Sequence, residues 1–246
     1  IVMFSIIIPT YNNLDYLKLC IKSIKKNSYF NHEIIVHVNV GDDGTIDYLE
    51  KENIIYTYSK VNIGICEGVN KASIHSTKEY ILYSHDDFYF CPEWDIVLSN
   101  EINLLDNNYF YLSGTMINNG QVNLDCGDSI INFNETKLLN NFKSIQFHDF
   151  QGSTWAPHLI SKKVWNKVGG FSEEYFPGTG SDPDLNKKLW DAGVRIFKGL
   201  QHCKVYHFGS IVTRQKEKKY GSITESGSKG SKIFLLKWGI TIKFFK

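Results

Sequence analysis

The chain opens on an almost uninterrupted apolar run, Met3–Ile8, with three consecutive isoleucines. A short run of this kind suits a parallel strand buried on both faces, where no position alternates toward solvent. It has no basic flank and no small-residue cleavage site, so it reads as a strand rather than a signal peptide. After the turn-forming Pro9-Thr10-Tyr11-Asn12-Asn13, Leu14, Leu17, Ile21 and Ile24 recur at helical spacing, with Asn12 or Asn13 as the cap. The alternation then repeats. Strands are predicted at Ile34–Val40, Ile54–Tyr58 and Tyr80–Ser84, and helices at Ile46–Lys51 and about Ile65–His75. Strand and helix in strict alternation predict an α/β class with a mostly parallel, doubly wound sheet flanked by helices, in which ligands sit at the carboxyl ends of the strands.

Beyond residue 90 the pattern weakens. Glu93–Leu105 reads as a helix and Asn108–Thr115 as a strand, whereas 117–150 is rich in Asn, Asp and Gly and supports no definite element. Val164–Val168 reads as a short helix closed by Gly169-Gly170. Asp184–Ala192 reads as another, with Pro183 in its first turn and Asp182 as its cap. Few strands follow in series, so this part reads as an extension of one domain.

Composition sharpens the picture in two places. The 246 residues are 42% hydrophobic and 14% aromatic, which excludes disordered, collagen-like and disulfide-scaffold classes. The net charge of +1 argues against a dedicated nucleic-acid binder, but it averages two unlike regions: 214–246 carries +7 and 1–213 carries −6. Five widely spaced cysteines without a Cys-x-x-Cys suggest buried thiols in a reducing, cytoplasmic setting. No apolar stretch is long enough to predict a transmembrane helix.

Three places could carry chemistry. His85-Asp86-Asp87 follows a buried strand, and adjacent side chains there point to opposite sides. One carboxylate can therefore reach a ribose while the other meets a hard cation that bridges substrate phosphates. Read blandly, it is a solvated turn. Asp182 is either only a helix cap or a general base at a helix start, approached through the glycine-containing stretch Phe176–Ser181. His207 follows the apolar strand Cys203–Tyr206. Convergence with Asp87 would make a mixed nitrogen and oxygen site suited to Mn²⁺ or Mg²⁺. Neither a phosphate-cradling Gly-x-x-x-x-Gly-Lys nor a Gly-x-Gly-x-x-Gly after the first strand is present.

Together these segments resemble the family 2 glycosyltransferases of GT-A fold. The resemblance runs through Ser5-Ile6-Ile7-Ile8-Pro9-Thr10-Tyr11-Asn12, Glu33–Val36 with Asp43-Gly44-Thr45, and Asn62-Ile63-Gly64 with Asn70. It continues through His85-Asp86-Asp87 at the DXD position, Trp165–Phe171, Asp182-Pro183-Asp184-Leu185 and Lys237-Trp238-Gly239. It implies an inverting transferase that uses a nucleotide-diphosphate sugar, a UDP-sugar first among candidates, a divalent metal (Mn²⁺ or Mg²⁺), and a glycan or lipid-linked acceptor. Pro9, Thr10, Tyr11, Asn39, Asn62, Asn70, His85 and Asp86 would form the nucleotide-sugar pocket. Asp87 and His207 would hold the metal, Asp182 would be the general base, and Trp155 and Asp184 would shape the acceptor side. Two positions depart from the family: His37-Val38-Asn39-Val40 offers Asn39 where an aspartate usually meets the base, and Ser181 replaces the usual glutamate.

The resemblance also implies one GT-A domain over 1–213, with a donor half (1–115) and an acceptor half (116–213). The basic segment 214–246 reads either as a packed helix or as a contact with an anionic membrane face. A sugar nucleotidyltransferase and a non-catalytic sugar- or nucleotide-binding module are the alternatives. The first is disfavoured because Tyr11-Asn12-Asn13 offers no basic glycine loop.

Overall fold

The chain is described by a computed structural model covering residues 2–209 and 223–245. Its first half is β1 (Phe4–Tyr11), α1 (Leu14–Asn27), β2 (Glu33–Asn39), α2 (Thr45–Lys51), β3 (Ile55–Ser59), α3 (Gly64–Ser73), β4 (Tyr80–Tyr83), β5 (Phe88–Phe90) and α4 (Trp94–Leu104). Then come β6 (Phe110–Ile117), α5 (Glu135–Asn141), β7 (Phe150–Gln151), β8 (His158–Ser161), α6 (Lys162–Val168), α7 (Ser181–Asp191), β9 (Ile196–His207), α8 (Ile223–Trp238) and α9 (Ile242–Phe245).

The sheet order is β3-β2-β1-β4-β8-β6-β9-β5, with β7 beside β9. From β3 to β4 every ladder is parallel, as the continuous apolar runs predict. Strand β8 is inserted antiparallel between β4 and β6, and β6 pairs parallel with β9. Most paired residues thus lie in parallel ladders, and the α/β class holds. Pro9 falls past the last residue that β4 pairs with β1 (Ile7 opposite Tyr83), so its missing N–H costs no ladder bond there.

Strand β9 is far longer than the predicted Cys203–Tyr206. It is interrupted by an irregularity between its pairings at Gly199 and Lys204, after which it continues alongside β5 and sets His207 opposite Phe88. A β-bulge of this kind re-aims the side chains beyond it. The five cysteines are free and buried.

Helix starts differ from the predicted ones for identifiable reasons. At α1, Asn13 occupies the cap position but its side chain makes no capping bond. Asp43 Oδ2 instead accepts from Leu14 N at 2.8 Å, from the loop after β2. At α7 the cap is Gly180 (φ 91°), not Asp182, because a left-handed residue is needed to turn the chain in from Gly178. Asp182 lies inside the first turn, where a negative side chain suits the helix dipole.

Of the basic segment 214–246, residues 214–222 and 246 lie outside the described residues. Helix α8 packs on the body of the domain: Phe234 is fully buried, and Ile233 and Trp238 pack against the core. Among the described residues no helix is long and apolar enough to cross a membrane.

Candidate active site

Strand β4 ends at Tyr83, and the chain turns through His85-Asp86-Asp87 into β5. The turn itself is Asp86-Asp87, and it folds Asp87 back toward His85. His85 and Asp87 accordingly face together, with His85 Nδ1 3.9 Å from Asp87 Oδ1, while Asp86 goes the other way. Thr10, at the carboxyl end of β1, donates its hydroxyl to Asp86 Oδ2 at 2.7 Å. Burial, then the neighbouring Asp87 carboxylate, raise the pKa of Asp86, and the Thr10 hydroxyl partly offsets this.

Strand β9 brings in His207. Its Nδ1 lies 3.1 Å from the Asn119 carbonyl oxygen, and Asn119 Nδ2 donates to the His207 carbonyl. A ring N–H donated to a carbonyl leaves the other nitrogen with its lone pair. That other nitrogen, Nε2, is buried, makes no hydrogen bond, and lies 3.5 Å from Asp87 Oδ2. The ligand atoms of His85, Asp87 and His207 all fall within 4.8 Å of one another. Burial drives the His85 pKa down to about 4 against the opposing pull of the Asp87 carboxylate, so at neutral pH its imidazole is uncharged. An orphaned buried nitrogen, a neutral imidazole and a carboxylate fit a divalent cation. His85 as a member of this cluster and Asn119 as the residue that orients His207 escaped the sequence reading. The i, i+2 spacing of His85 and Asp87 was the available signal for the first, and nothing local signalled the second.

Asp182 sits close enough to the carboxyl end of β4 that its charge adds to burial in holding the Tyr83 phenol well above its usual range. The loop before it is held by α3. Ile65 N donates to Pro177 O at 3.0 Å, and a side chain at Gly64 would collide with the Phe176 ring. Asn62-Ile63-Gly64 thereby acquires a structural role: Asn62 Oδ1 accepts from Gly64 N, and the glycine lets the Phe176–Pro177 backbone come close.

Several residues assigned to pockets serve the scaffold instead. Asn70 accepts from Phe171 N and donates to Phe171 O, both at 2.9 Å, latching α3 to the Gly169-Gly170-Phe171 turn. Its amide is used at both ends, so it supports the site only through that turn. Asn39 is buried, and its side-chain oxygen accepts from Ile63 N and Ser59 Oγ, so that oxygen braces a loop rather than facing a base.

Asp184 is the clearest correction to the acceptor assignment: it is 0% exposed. It accepts from Ser172 Oγ, Tyr175 OH at 3.1 Å and Trp238 Nε1 at 2.8 Å, and pairs with Lys237 Nζ at 3.0 Å. A carboxylate closed in by four donors has no room for an acceptor; it anchors α8 to α7. Trp155 is half-buried, donates Nε1 to Gly114 O at 2.7 Å and packs near Phe150. Pro9 and Thr10 are buried and Tyr11 half-buried at the end of β1, beside Asp86.

The chain is similar to known proteins to different degrees. Residues 5–157 match the model of glycosyl transferase family 2. An uncharacterized glycosyltransferase of Rickettsia prowazekii is 30% identical over 177 residues, covering 70% of this chain and 54% of that protein. The chain spans between 15% and 54% of the curated relatives it matches. Among solved structures, residues 1–349 of Staphylococcus aureus TarS superpose with a TM-score of 0.60 at 16% identity, over 96% of this chain and 72% of that one. The Pyrobaculum calidifontis mannosyltransferase PcManGT, in complex with GDP-Man and Mn²⁺, superposes with a TM-score of 0.55 at 17% identity, over 83% of this chain and 56% of that one. At these identities the structures speak for the fold, which is the GT-A fold. The family match covers most of the chain, and the chain belongs to glycosyl transferase family 2.

Proposed function

We propose that this chain is an inverting glycosyltransferase that moves a sugar from a nucleotide diphosphate onto a hydroxyl of a glycan or lipid-linked acceptor. The observation that carries the reading is the convergence of the Thr10–Asp86 hydrogen bond with the His85, Asp87 and His207 cluster at the carboxyl ends of β1 and β4. Asp86, oriented by Thr10, holds the ribose. Asp87 and His207 hold a divalent cation, Mn²⁺ or Mg²⁺, which when bound stabilises the departing diphosphate as a Lewis acid. Asp182 takes the proton of the acceptor hydroxyl as its oxygen attacks the anomeric carbon and the bond to the diphosphate breaks on the opposite face. Residues 1–115 supply the donor side and 116–213 the acceptor side, with Trp155 offering an apolar face to a sugar ring. TarS has been crystallised with UDP and with UDP-GlcNAc, and PcManGT with GDP-Man, which makes UDP- and GDP-sugars the first donors to test.

The test is a screen of nucleotide sugars for thermal stabilisation and for release of nucleoside diphosphate. Asp182→Asn should lower turnover by about 100-fold or more while the donor-induced shift persists. Near-normal turnover in that variant would remove Asp182 as the base. Slow metal-dependent donor hydrolysis would count against a non-catalytic module, and synthesis of a nucleotide sugar from NTP and sugar phosphate would favour the nucleotidyltransferase.

A second reading concerns where the enzyme works. The outer side of α8 and α9 exposes Leu235, Leu236 and Phe244, at 44%, 82% and 80%, beside Lys229, Lys232 and Lys243. Exposed apolar side chains interleaved with lysines suit an anionic membrane face, the cytoplasmic one if the setting is reducing. Replacing the three apolar residues with serine should abolish co-sedimentation with anionic vesicles and leave the fold intact. Equal sedimentation of the variant and the parent would remove the idea.

A further inference from the structure

The His85-Asp86-Asp87 turn divides its three polar side chains between two tasks. Asp86 faces Thr10, whereas His85 and Asp87 face His207. The His85 ring is held flat on Phe88, with centroids 4.7 Å apart and planes 13° apart, and meets the His207 ring edge-on at 5.8 Å. Both imidazoles are therefore held beside one carboxylate, His85 nearer Oδ1 and His207 nearer Oδ2.

We infer that His85 is a third protein ligand of the cation assigned above to Asp87 and His207, and that two imidazoles with one carboxylate make the site select Mn²⁺ over Mg²⁺. The inference rests on the proposed metal role of Asp87 and His207 and adds a ligand and a selectivity to it. Metal–ligand bonds of about 2.1 Å place adjacent ligand atoms about 3 Å apart and opposite ones about 4 Å apart. His85 Nδ1 lies 3.9 Å from Asp87 Oδ1 and His207 Nε2 3.5 Å from Asp87 Oδ2, and one ligand atom from each of the three falls within 4.8 Å of the others, so movements of about 1 Å close the set. The unpartnered, buried His207 Nε2 is the independent sign of a missing ligand at this place. Three protein ligands would leave coordination positions open to diphosphate oxygens and water. Imidazole nitrogen binds first-row ions, Mn²⁺ the weakest of them, better than it binds Mg²⁺, which prefers oxygen and keeps its water.

Mn²⁺ binding to the nucleotide-free protein, followed by the loss of the free-ion paramagnetic resonance signal, tests this with Mg²⁺ as competitor. His85→Asn should weaken Mn²⁺ by about tenfold or more while changing Mg²⁺ much less. His85→Asp, which offers oxygen in place of nitrogen, should keep binding but move the Mn²⁺-to-Mg²⁺ preference toward Mg²⁺. A purely structural His85 would not move that ratio. Mn²⁺ affinity within about twofold of the parent in His85→Asn, with Asp87→Asn and His207→Asn both impaired, overturns the third ligand alone. Unchanged affinity in all three variants overturns the metal assignment itself.

Discussion

Thr10 shows how much one hydroxyl can settle. Its donation to Asp86 ties the end of β1 directly to the turn after β4, and it favours the charged form of a carboxyl that burial and Asp87 push toward neutrality. Thr10→Val keeps the shape and removes the bond. A hydrogen bond to a charged group contributes about 1.5–3 kcal/mol. Donor affinity measured by calorimetry should therefore fall by about tenfold, with the sharpest loss at low pH, where Asp86 is already protonated more readily. Asn119 works one step further out. By engaging Nδ1 of His207 through its backbone carbonyl it presents Nε2 to Asp87, so the side chain at position 119 matters less than the turn that holds the carbonyl.

Among the elements, α7 and α8 depend on each other. Asp184 is buried without an arginine beside it, and Lys237 is the one cation paired with it among the described residues. Breaking a buried pair costs more than breaking an exposed one, and Lys237 is partly exposed, so Lys237→Met should destabilise by about 2 kcal/mol in chemical denaturation. The same change at Lys187, which pairs with Asp191 across one turn, should cost about 0.5 kcal/mol or less. Gly230 presses on the loop from the other side: any side chain there would overlap the Thr179 carbonyl. Gly230→Ala should displace Thr179-Gly180 and with it the first turn of α7. Turnover should then drop by more than the melting temperature alone accounts for, since a shift of about 1 Å at a catalytic group can cost on the order of 100-fold.

These dependencies also explain what was legible beforehand. The parallel half could be read because doubly buried strands are plain apolar runs and the loops between them carry Gly, Asn and Asp. Strand β8 could not: His158 and Ser161 are polar, and they are buried only because the Tyr111 hydroxyl and the Asn108 carbonyl meet them. Strands β5 and β7 are three and two residues long, too short for any period to show. At the candidate site, strand ends foretell the convergence of Asp87 with His207 and the opposite facing of Asp86, whereas the burial of Asp184 leaves no trace in its own segment. Nothing within its own helix reveals that Lys237 and Trp238 will arrive from α8.

The molecule as a whole carries several buried groups tuned in the same direction. Burial lowers the pKa of His37 and His85 to about 4 and of His158 to about 3. A histidine held neutral in the folded state but free to protonate when unfolded contributes stability above its ordinary pKa, and that stability is lost as pH falls toward the folded value. Glu33, Asp95 and Glu135, whose hydrogen bonds lower their pKa values, also lose stability in acid. Asp86, with its raised pKa, works the opposite way, costing stability as pH rises. The balance predicts a melting temperature that falls between pH 7 and pH 5. His37→Gln, which removes one of the buried imidazoles, should flatten that fall.

The four donors around Asp184 come from two places far apart in the chain, Ser172 and Tyr175 before it and Lys237 and Trp238 well after it. A ribosome delivers these in order. The strands that would receive the nucleotide can pair while synthesis continues, but the turn bearing Asp182 waits for its last supports. Docking of α8 on α7 is then the step that would bring Asp182 into position for transfer.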